Sequence, residues 1–385
     1  MCIRDRRKRH YLIAGALCAA MALSLTACGE QGAAKETTAA ETTAAETTTA
    51  AETTAEAATE AASEEASDEE TEAAEAAAEV DEEAWKAEPA YGKPVTYYYT
   101  GGNCTSAPWF ADVLGYYEEE GIEVEMVAGS SYTEALGTGA ADLAVGHIST
   151  MLVPATNGVD LEFVAGAHTG CRSLYALADS GITTTADLVG KNVSTPDPIG
   201  SSGYNITCRF FDVDGINPLT DIKIMQVEND AAINAMESGE ISASLFTDIY
   251  AYPFVQDGTL VCVRSLLDDD FAGEPCCVLA MSKTFVEENP ITAKKITDCV
   301  RKASKWMEEN GAEAVQMLLD NNMISGDYDM NLEMFEVLDF DIDKDFSEAG
   351  LEQIVADYIR LDLITAYEEG QEEEVMDLVW NPLES

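Results

Sequence analysis

The chain has 385 residues, with 72 Asp plus Glu against 21 Lys plus Arg and a formal net charge of −51. That balance argues against a nucleic-acid binder, which needs a basic surface against phosphates. It also disfavours a peripheral protein held on anionic lipid by basic patches. The length allows two or three domains, or two lobes of one. The charge is unevenly spread. Residues 1–28 carry five bases and one acid, and residues 29–90 carry 19 acids against Lys35 and Lys86. The remainder carries 52 acids and 14 bases, so three segments are read separately.

Arg6-Arg7-Lys8-Arg9 precedes an uncharged apolar run from Tyr11 to Leu25. The run is short of the about 20 residues a bilayer span needs and suits a signal peptide. It ends in Leu25-Thr26-Ala27-Cys28-Gly29, which resembles a bacterial lipobox. The resemblance implies cleavage before Cys28 and lipidation of Cys28, the lipid then being the membrane attachment. Residues 29–90 are almost entirely Ala, Glu and Thr, with Val80 and Trp85 the only large apolar side chains. Such a segment cannot offset its conformational entropy by burial and is expected to be a disordered tether. Its stretch from Glu72 to Glu88 is expected to be transiently helical. As a coil it would reach roughly 45 Å r.m.s..

Residues 91–385 form the folded domain. Val95–Thr100 reads as a strand, Pro108–Glu119 as a helix and Glu123–Val127 as a strand. Thr133–Leu136 reads as a helix, and Asp142–Val145 and Leu161–Ala167 as strands. This alternation predicts an α/β fold with mostly parallel sheets covered by helices. Two echoes about 100 residues apart point to an internal repeat. Ala135–Ala144 matches Ala235–Ser244, each a helix end, a glycine turn and a strand start. Leu174–Ser180 pairs with Cys277–Lys283, two strands of a length to pass between lobes.

The order of short motifs is more telling than any one of them. It runs through Ala107-Pro108, Gly121-Ile122-Glu123-Val124, Glu134-Ala135-Leu136 with Gly139 and Asp142, and Asp187-Leu188-Val189-Gly190-Lys191. It continues through Gly200-Ser201-Ser202-Gly203 and Ala235-Met236 with Gly239. With the lipobox, this set resembles the solute-binding lipoproteins of ABC transporters in the nitrate/sulfonate/taurine/bicarbonate and thiamine-precursor group. The resemblance spans about residues 93–340. It implies a two-lobed, type 2 periplasmic-binding-protein fold. Lobe I would cover about 91–176 and 279–385, and lobe II about 177–278, with hinge strands near Leu174–Ala178 and Val278–Met281. It also implies a small-molecule solute, an ABC permease with its ATPase as partners, an extracytoplasmic location and a monomer. Ser242 departs from the pattern, standing where the first half has Asp142; strand capping is the expected consequence.

In open α/β sheets, ligands sit beyond the carboxyl ends of strands. Four loops are therefore candidates. Gly101-Gly102-Asn103-Cys104-Thr105-Ser106 follows the first strand. Its glycines permit close backbone approach, Asn103 and Thr105 supply donors and acceptors, and Pro108 leaves N–H groups of the next helix end free. Gly146-His147-Ile148-Ser149 follows the third strand, and Ser130 precedes a neighbouring helix. Gly200-Ser201-Ser202-Gly203 opens a second-lobe helix, where N–H groups and hydroxyls suit a sulfonate, carboxylate or phosphate. Thr247-Asp248-Ile249-Tyr250 offers a carboxylate for an amine and a ring face, or alternatively an ordinary helix cap. Arg172 reads as an anion clamp or, better, as a hinge or surface ion pair. Trp109, Tyr132, Tyr204 and Tyr250 are ligand-stacking or packing residues.

The domain keeps seven cysteines: 104, 171, 208, 262, 276, 277 and 299. No Cys-x-x-Cys spacing supports a zinc or redox site, and buried free thiols are expected. The run Asp341-Ile342-Asp343-Lys344-Asp345 has Phe346 where a calcium loop requires glycine, and reads instead as a helix cap. No cofactor or metal site is expected, and no hydrolase or metalloprotease motif is present. The expected function is capture of a small solute of the sulfonate/taurine/nitrate class for delivery to a permease, and not catalysis. The alternatives are uptake of a thiamine-precursor pyrimidine or related heterocycle, and a tethered surface sensor or adhesin.

Overall fold

The computed structural model describes residues 82–383. Cys28 and most of the expected tether lie outside the described residues. The end of that tether does not. Residues 82–87 are helical, and Trp85 Nε1 donates to Thr292 Oγ1 at 2.9 Å. The Glu88 carboxylate accepts from the N–H groups of Ile291 and Thr292 at 2.6 and 2.9 Å, satisfying the open end of a 20-residue helix that starts at Pro290. The folded unit therefore begins near Ala84, before the expected boundary at 90/91.

The chain then runs β1 (Val95–Tyr98), α1 (Ala107–Val113), α2 (Tyr116–Glu119), β2 (Val124–Val127), α3 (Tyr132–Gly137), β3 (Leu143–His147), α4 (Ile148–Thr156) and β4 (Glu162–Thr169). It continues β5 (Arg172–Leu177), β6 (Asn192–Thr195), α5 (Ser202–Val213), β7 (Lys223–Gln226), α6 (Asn229–Glu237), β8 (Ala243–Thr247), α7 (Asp248–Gln256), β9 (Leu260–Ser265) and β10 (Pro275–Met281). Six helices close it: α8 (Lys283–Glu288), α9 (Pro290–Glu309), α10 (Gly311–Asp320), α11 (Tyr328–Phe335), α12 (Lys344–Arg360) and α13 (Glu372–Val379). The helix expected over 108–119 is broken where Gly115 takes a left-handed φ of 79°. Asp343 caps α12 through Phe346 N–H, the capping role expected of that acidic run, although the helix starts four residues earlier than its expected start near Glu348. Among the described residues no helix is long and apolar enough to cross a membrane.

Two five-stranded sheets result, ordered β2-β1-β3-β10-β4 and β7-β6-β8-β5-β9. The orders correspond position by position. In each, three parallel strands meet a fourth that runs antiparallel. The echoes are thereby explained: α3–β3 and α6–β8 are equivalent units, turning on Gly139 and Gly239 at φ of 70° and 77°. The second pair, β5 and β10, fills the fourth place in its own sheet. Each lies whole within one sheet, so the chain changes sheets at Gly170–Cys171 and again between Ser265 and Pro275. The exchange thus falls ahead of the expected boundaries at 176/177 and 278/279. Asp142, the residue without a counterpart in the second half, accepts from Thr96 N–H and Oγ1 at 2.7 and 2.8 Å. It ties the starts of β1 and β3, a capping role.

Behind the exchange lies a buried charge cluster. Arg209 on α5 is 4% exposed. It makes two 2.8 Å bonds to Glu274 in the returning segment and bonds of 2.9 and 2.7 Å to Asp357 on α12. Its guanidinium also lies 5.2 Å from the Phe271 ring centroid. Helix α12 approaches closely enough that a Cβ on Gly350 would stand 2.5 Å from Pro275 Cδ. Removing one member of a buried ion cluster leaves the others unpaired and typically costs about 3–5 kcal/mol. Arg209→Ala is expected to lose that much in urea unfolding, with Arg360→Ala, an exposed neighbour, losing under about 1 kcal/mol.

Candidate functional site

A cavity of ≈ 460 Å³ opens at the carboxyl ends of β1, β3 and β8. The first lobe contributes Thr100–Thr105 and His147. Cys171 comes from the exchange, and Thr247, Asp248 and Ile249 from the second lobe. The remaining wall is Met323–Ser325, Asn331, Met334, Val337 and Leu338. Above it, Tyr252 on α7 donates to Glu333 on α11, joining the lobes.

Gly102, Asn103, Cys104, Thr105, His147, Thr247 and Asp248 thus come together at one cavity, from three of the expected loops. The double glycine serves the chain itself: Gly102 N–H donates to Met323 O at 2.9 Å, and a Cβ on Gly101 would stand 2.4 Å from that oxygen. Pro108 is buried in the first turn of α1. Gly146 lies under Tyr132, whose ring would be 2.5 Å from an added Cβ, and Tyr132 Oη accepts from His147 N–H. Ser130 is exposed and does not line the cavity.

The α5 helix end does not line it either. Gly200 is exposed and Ser201 half-buried. Ser202 Oγ is hydrogen-bonded to Ser149 Oγ at 2.7 Å, and Asn205 Nδ2 donates to Ser149 O, so this end meets the first lobe directly. Gly203 N–H donates to Asp197 Oδ2 at 2.9 Å, and that carboxylate also pairs with Arg172 at 2.7 Å. Ile148 is buried core. The aromatics pack: Trp109 against Phe110, Tyr132 against Tyr98, and Tyr250 against Phe246 and Phe254. Tyr250 Oη donates to Asn229 O. Tyr204 is half-buried and outside the cavity wall. His168 is fully buried, its Nδ1 donating to Thr169 O at 2.6 Å; burial pushes its pKa down.

Two polar atoms of the cavity wall are buried without partners: Asn103 Oδ1 and Asp248 Oδ2. Asp248 is the first residue of α7, and its Oδ1 accepts from Tyr175 Oη at 2.7 Å. Thr247, not Asp248, is the cap residue. Burial pushes the Asp248 carboxyl up to about 7. Among the described residues that line the cavity there is no lysine or arginine. The wall therefore combines the unpartnered acceptors of Asn103 and Asp248 with apolar side chains (Met323, Ile324, Met334, Val337, Leu338). Unpaired buried acceptors call for a donor.

All seven domain cysteines are free thiols. Four of them gather beside His147. Cys171 Sγ is 3.6 Å from Cys276 Sγ, and His147 Nδ1 is 3.5 Å from Cys276 Sγ and 3.4 Å from Cys277 Sγ. Hydrogen bonds from the thiols of Cys104, Cys276 and Cys277 depress the Cys171 thiol and correspondingly hold Cys104 and Cys276 up. No spacing rule finds this cluster, because its members come from four segments. The wall at 323–338, more than 200 residues from the first loop, likewise left no local signal.

The class this architecture defines is a two-lobed, cleft-bearing α/β protein. Residues 106–314, more than half of the chain, match the family described as NMT1/THI5 like, and the chain belongs to that family. The alkanesulfonate-binding protein of Xanthomonas axonopodis pv. citri, bound to MOPS, superposes with a TM-score of 0.59 at 17% identity. It covers 78% of this chain and 100% of that one. The periplasmic nitrate-binding protein of Synechocystis PCC 6803 gives 0.59 at 15%, covering 75% and 86%. A desulfurization enzyme gives 0.51 at 14%, covering 74% and 99%. No curated protein sequence matches the chain. At these identities the structures establish the shared periplasmic-binding-protein fold.

The carboxyl of Asp248 titrates near 3.8 in water and near 7 when folded. Between those values the folded state holds more protons, so this group makes stability fall as pH rises through the window. Asp248→Asn is therefore expected to raise the melting temperature at pH 8 and to change it little below pH 4. A rise of equal size at both pH values would refute the assignment.

Proposed function

We propose that the chain is the lipid-anchored, extracytoplasmic solute-binding component of an ABC importer, holding a small solute between its lobes and passing it to the permease. Family membership and the two-lobed fold support the class. A fold alone does not separate binding from catalysis, and the desulfurization enzyme shares it, so the reading rests on the cleft.

The observation that carries the solute class is that Asp248 Oδ2 and Asn103 Oδ1 are buried without hydrogen bonds on residues that line a cavity shared with Met323, Ile324, Met334, Val337 and Leu338. Those acceptors fit a compact ring or chain bearing an amine or ring N–H. This favours the heterocycle reading, a pyrimidine of the thiamine-precursor kind, over nitrate or a simple alkanesulfonate. A bare oxyanion would face a carboxylate, with Arg172 already paired to Asp197.

Calorimetry with aminopyrimidines, taurine, alkanesulfonates and nitrate tests this. The amine- or N–H-bearing compounds are expected to bind, and Asp248→Asn to weaken them about tenfold or more, the scale of a lost hydrogen bond to a charged group. Ser201→Ala with Ser202→Ala should leave them unchanged. Binding of sulfonate or nitrate that fails in the double serine variant and survives Asp248→Asn would return the oxyanion reading. No binding by any solute, with a protein partner captured by the tethered chain, would favour the sensor or adhesin.

A further inference from the structure

We propose that His147, Cys276 and Cys277 form a binding site for a thiophilic divalent cation of the Zn²⁺ type at the edge of the cleft. The inference stands apart from the importer reading. Successive strand residues point to opposite faces, so Cys276 and Cys277 should not reach one atom. They do because β10 is irregular there: its pairing with β4 shifts register between Pro275 and Cys277 and again between Cys277 and Val278. Bulges of this kind re-aim side chains. On the other side of β10, Cys277 stands directly opposite His147 of β3.

The three donor atoms lie within 4.8 Å of one another, and both S···N separations, 3.5 and 3.4 Å, are known. A tetrahedral ion with bonds of about 2.3 Å to sulfur and about 2.0–2.1 Å to nitrogen has S···N edges of about 3.5 Å. Both S···N separations thus match the edges of such a polyhedron, and the two sulfurs lie within 4.8 Å of each other. Three protein donors leave a fourth position, as in sites that exchange a ligand. His147 lines the cavity, which gives the ion a path from the cleft.

Charge selects the ion. Cys277 is fully buried and Cys276 is 8% exposed. Two thiolates with a neutral imidazole around a divalent cation are net neutral, whereas a monovalent ion would leave one buried negative charge uncompensated. Thiolate and imidazole donors suit zinc over calcium or magnesium. Binding transfers no electrons: each thiol loses its proton to solvent as its sulfur takes the metal.

Zn²⁺ alone, titrated into reduced protein against a chromophoric chelator, tests the site, with Co²⁺ as an optical substitute. One equivalent and a thiolate-to-Co²⁺ charge-transfer band are expected. His147→Asn and Cys276→Ser with Cys277→Ser should each lower Zn²⁺ affinity by more than the roughly 10–100-fold that an outer-shell partner costs. Cys299→Ser, which removes a buried thiol outside the cluster, should leave it unchanged. If the double cysteine variant does not fold, His147→Asn on the cavity wall decides. Absence of the band, affinity indifferent to His147 and Cys276/Cys277, or oxidation of Cys171 and Cys276 to a disulfide in place of metal uptake overturns the proposal.

Discussion

The arrangement of the lobes depends on where Arg209 places its charge. A guanidinium cannot be deprotonated inside a protein and must be paired when buried. Here its planar fork takes both oxygens of Glu274 and reaches Asp357 through two nitrogens. The partners belong to different parts of the chain: Arg209 to the second lobe, Glu274 to the returning segment, Asp357 to the last long helix. Satisfying one cation therefore fixes three elements. It sets the N-terminal end of α5 against Ser149 and holds the segment that enters β10, two residues ahead of the thiol pair. A rotation that opened the cleft is expected to pivot near this cluster, because pulling Asp357 from Arg209 would break two charge-assisted hydrogen bonds in a buried interior.

Much of this fold was legible because its signals are local. Strand-length apolar runs, helix ends and glycine turns repeat at 135–144 and 235–244, and the structure gives these segments the same place in two sheets. The pairing of 174–180 with 277–283 was equally sound, since β5 and β10 are equivalent antiparallel strands. The residues at which the chain changes sheets were less legible, because a strand's membership in one sheet is decided by its neighbours. Periodicity alone leaves the exchange point free to slide by several residues.

The cleft was legible only in part, and the glycines show why. Gly101, Gly102, Gly146 and Gly203 all sit near the carboxyl ends of strands, where a ligand is expected. In each case the close neighbour is the chain itself: the Met323 carbonyl for the first two, the Tyr132 ring, and the Asp197 carboxylate. A sequence reveals that something approaches the backbone and does not say what. The same holds for the α5 helix end, whose positive pole suited an external anion but holds an internal one. Asn103 and Asp248 lie on the cavity wall, where their loop positions put them; the apolar wall at 323–338 gave no such signal, because nothing near it in sequence refers to the cleft.

The acidity that dominates the composition gains a local counterpart in this cleft. The domain carries a large negative charge, and its field lowers the concentration of free anions at the surface while raising that of cations. Screening confines surface charges to about 8–10 Å in salt, so the field alone could not decide what binds. The cavity acts in the same direction at short range. Its buried titratable carboxyl is Asp248, and Arg172, which does not line the cavity, is already paired to Asp197. In the proposed metal site, the thiols of Cys276 and Cys277 would each release a proton to solvent as a cation takes the sulfur. In the proposed reading, long-range field, buried acceptors and thiol donors act together, favouring ligands that arrive with positive charge or with hydrogen to donate over a simple oxyanion.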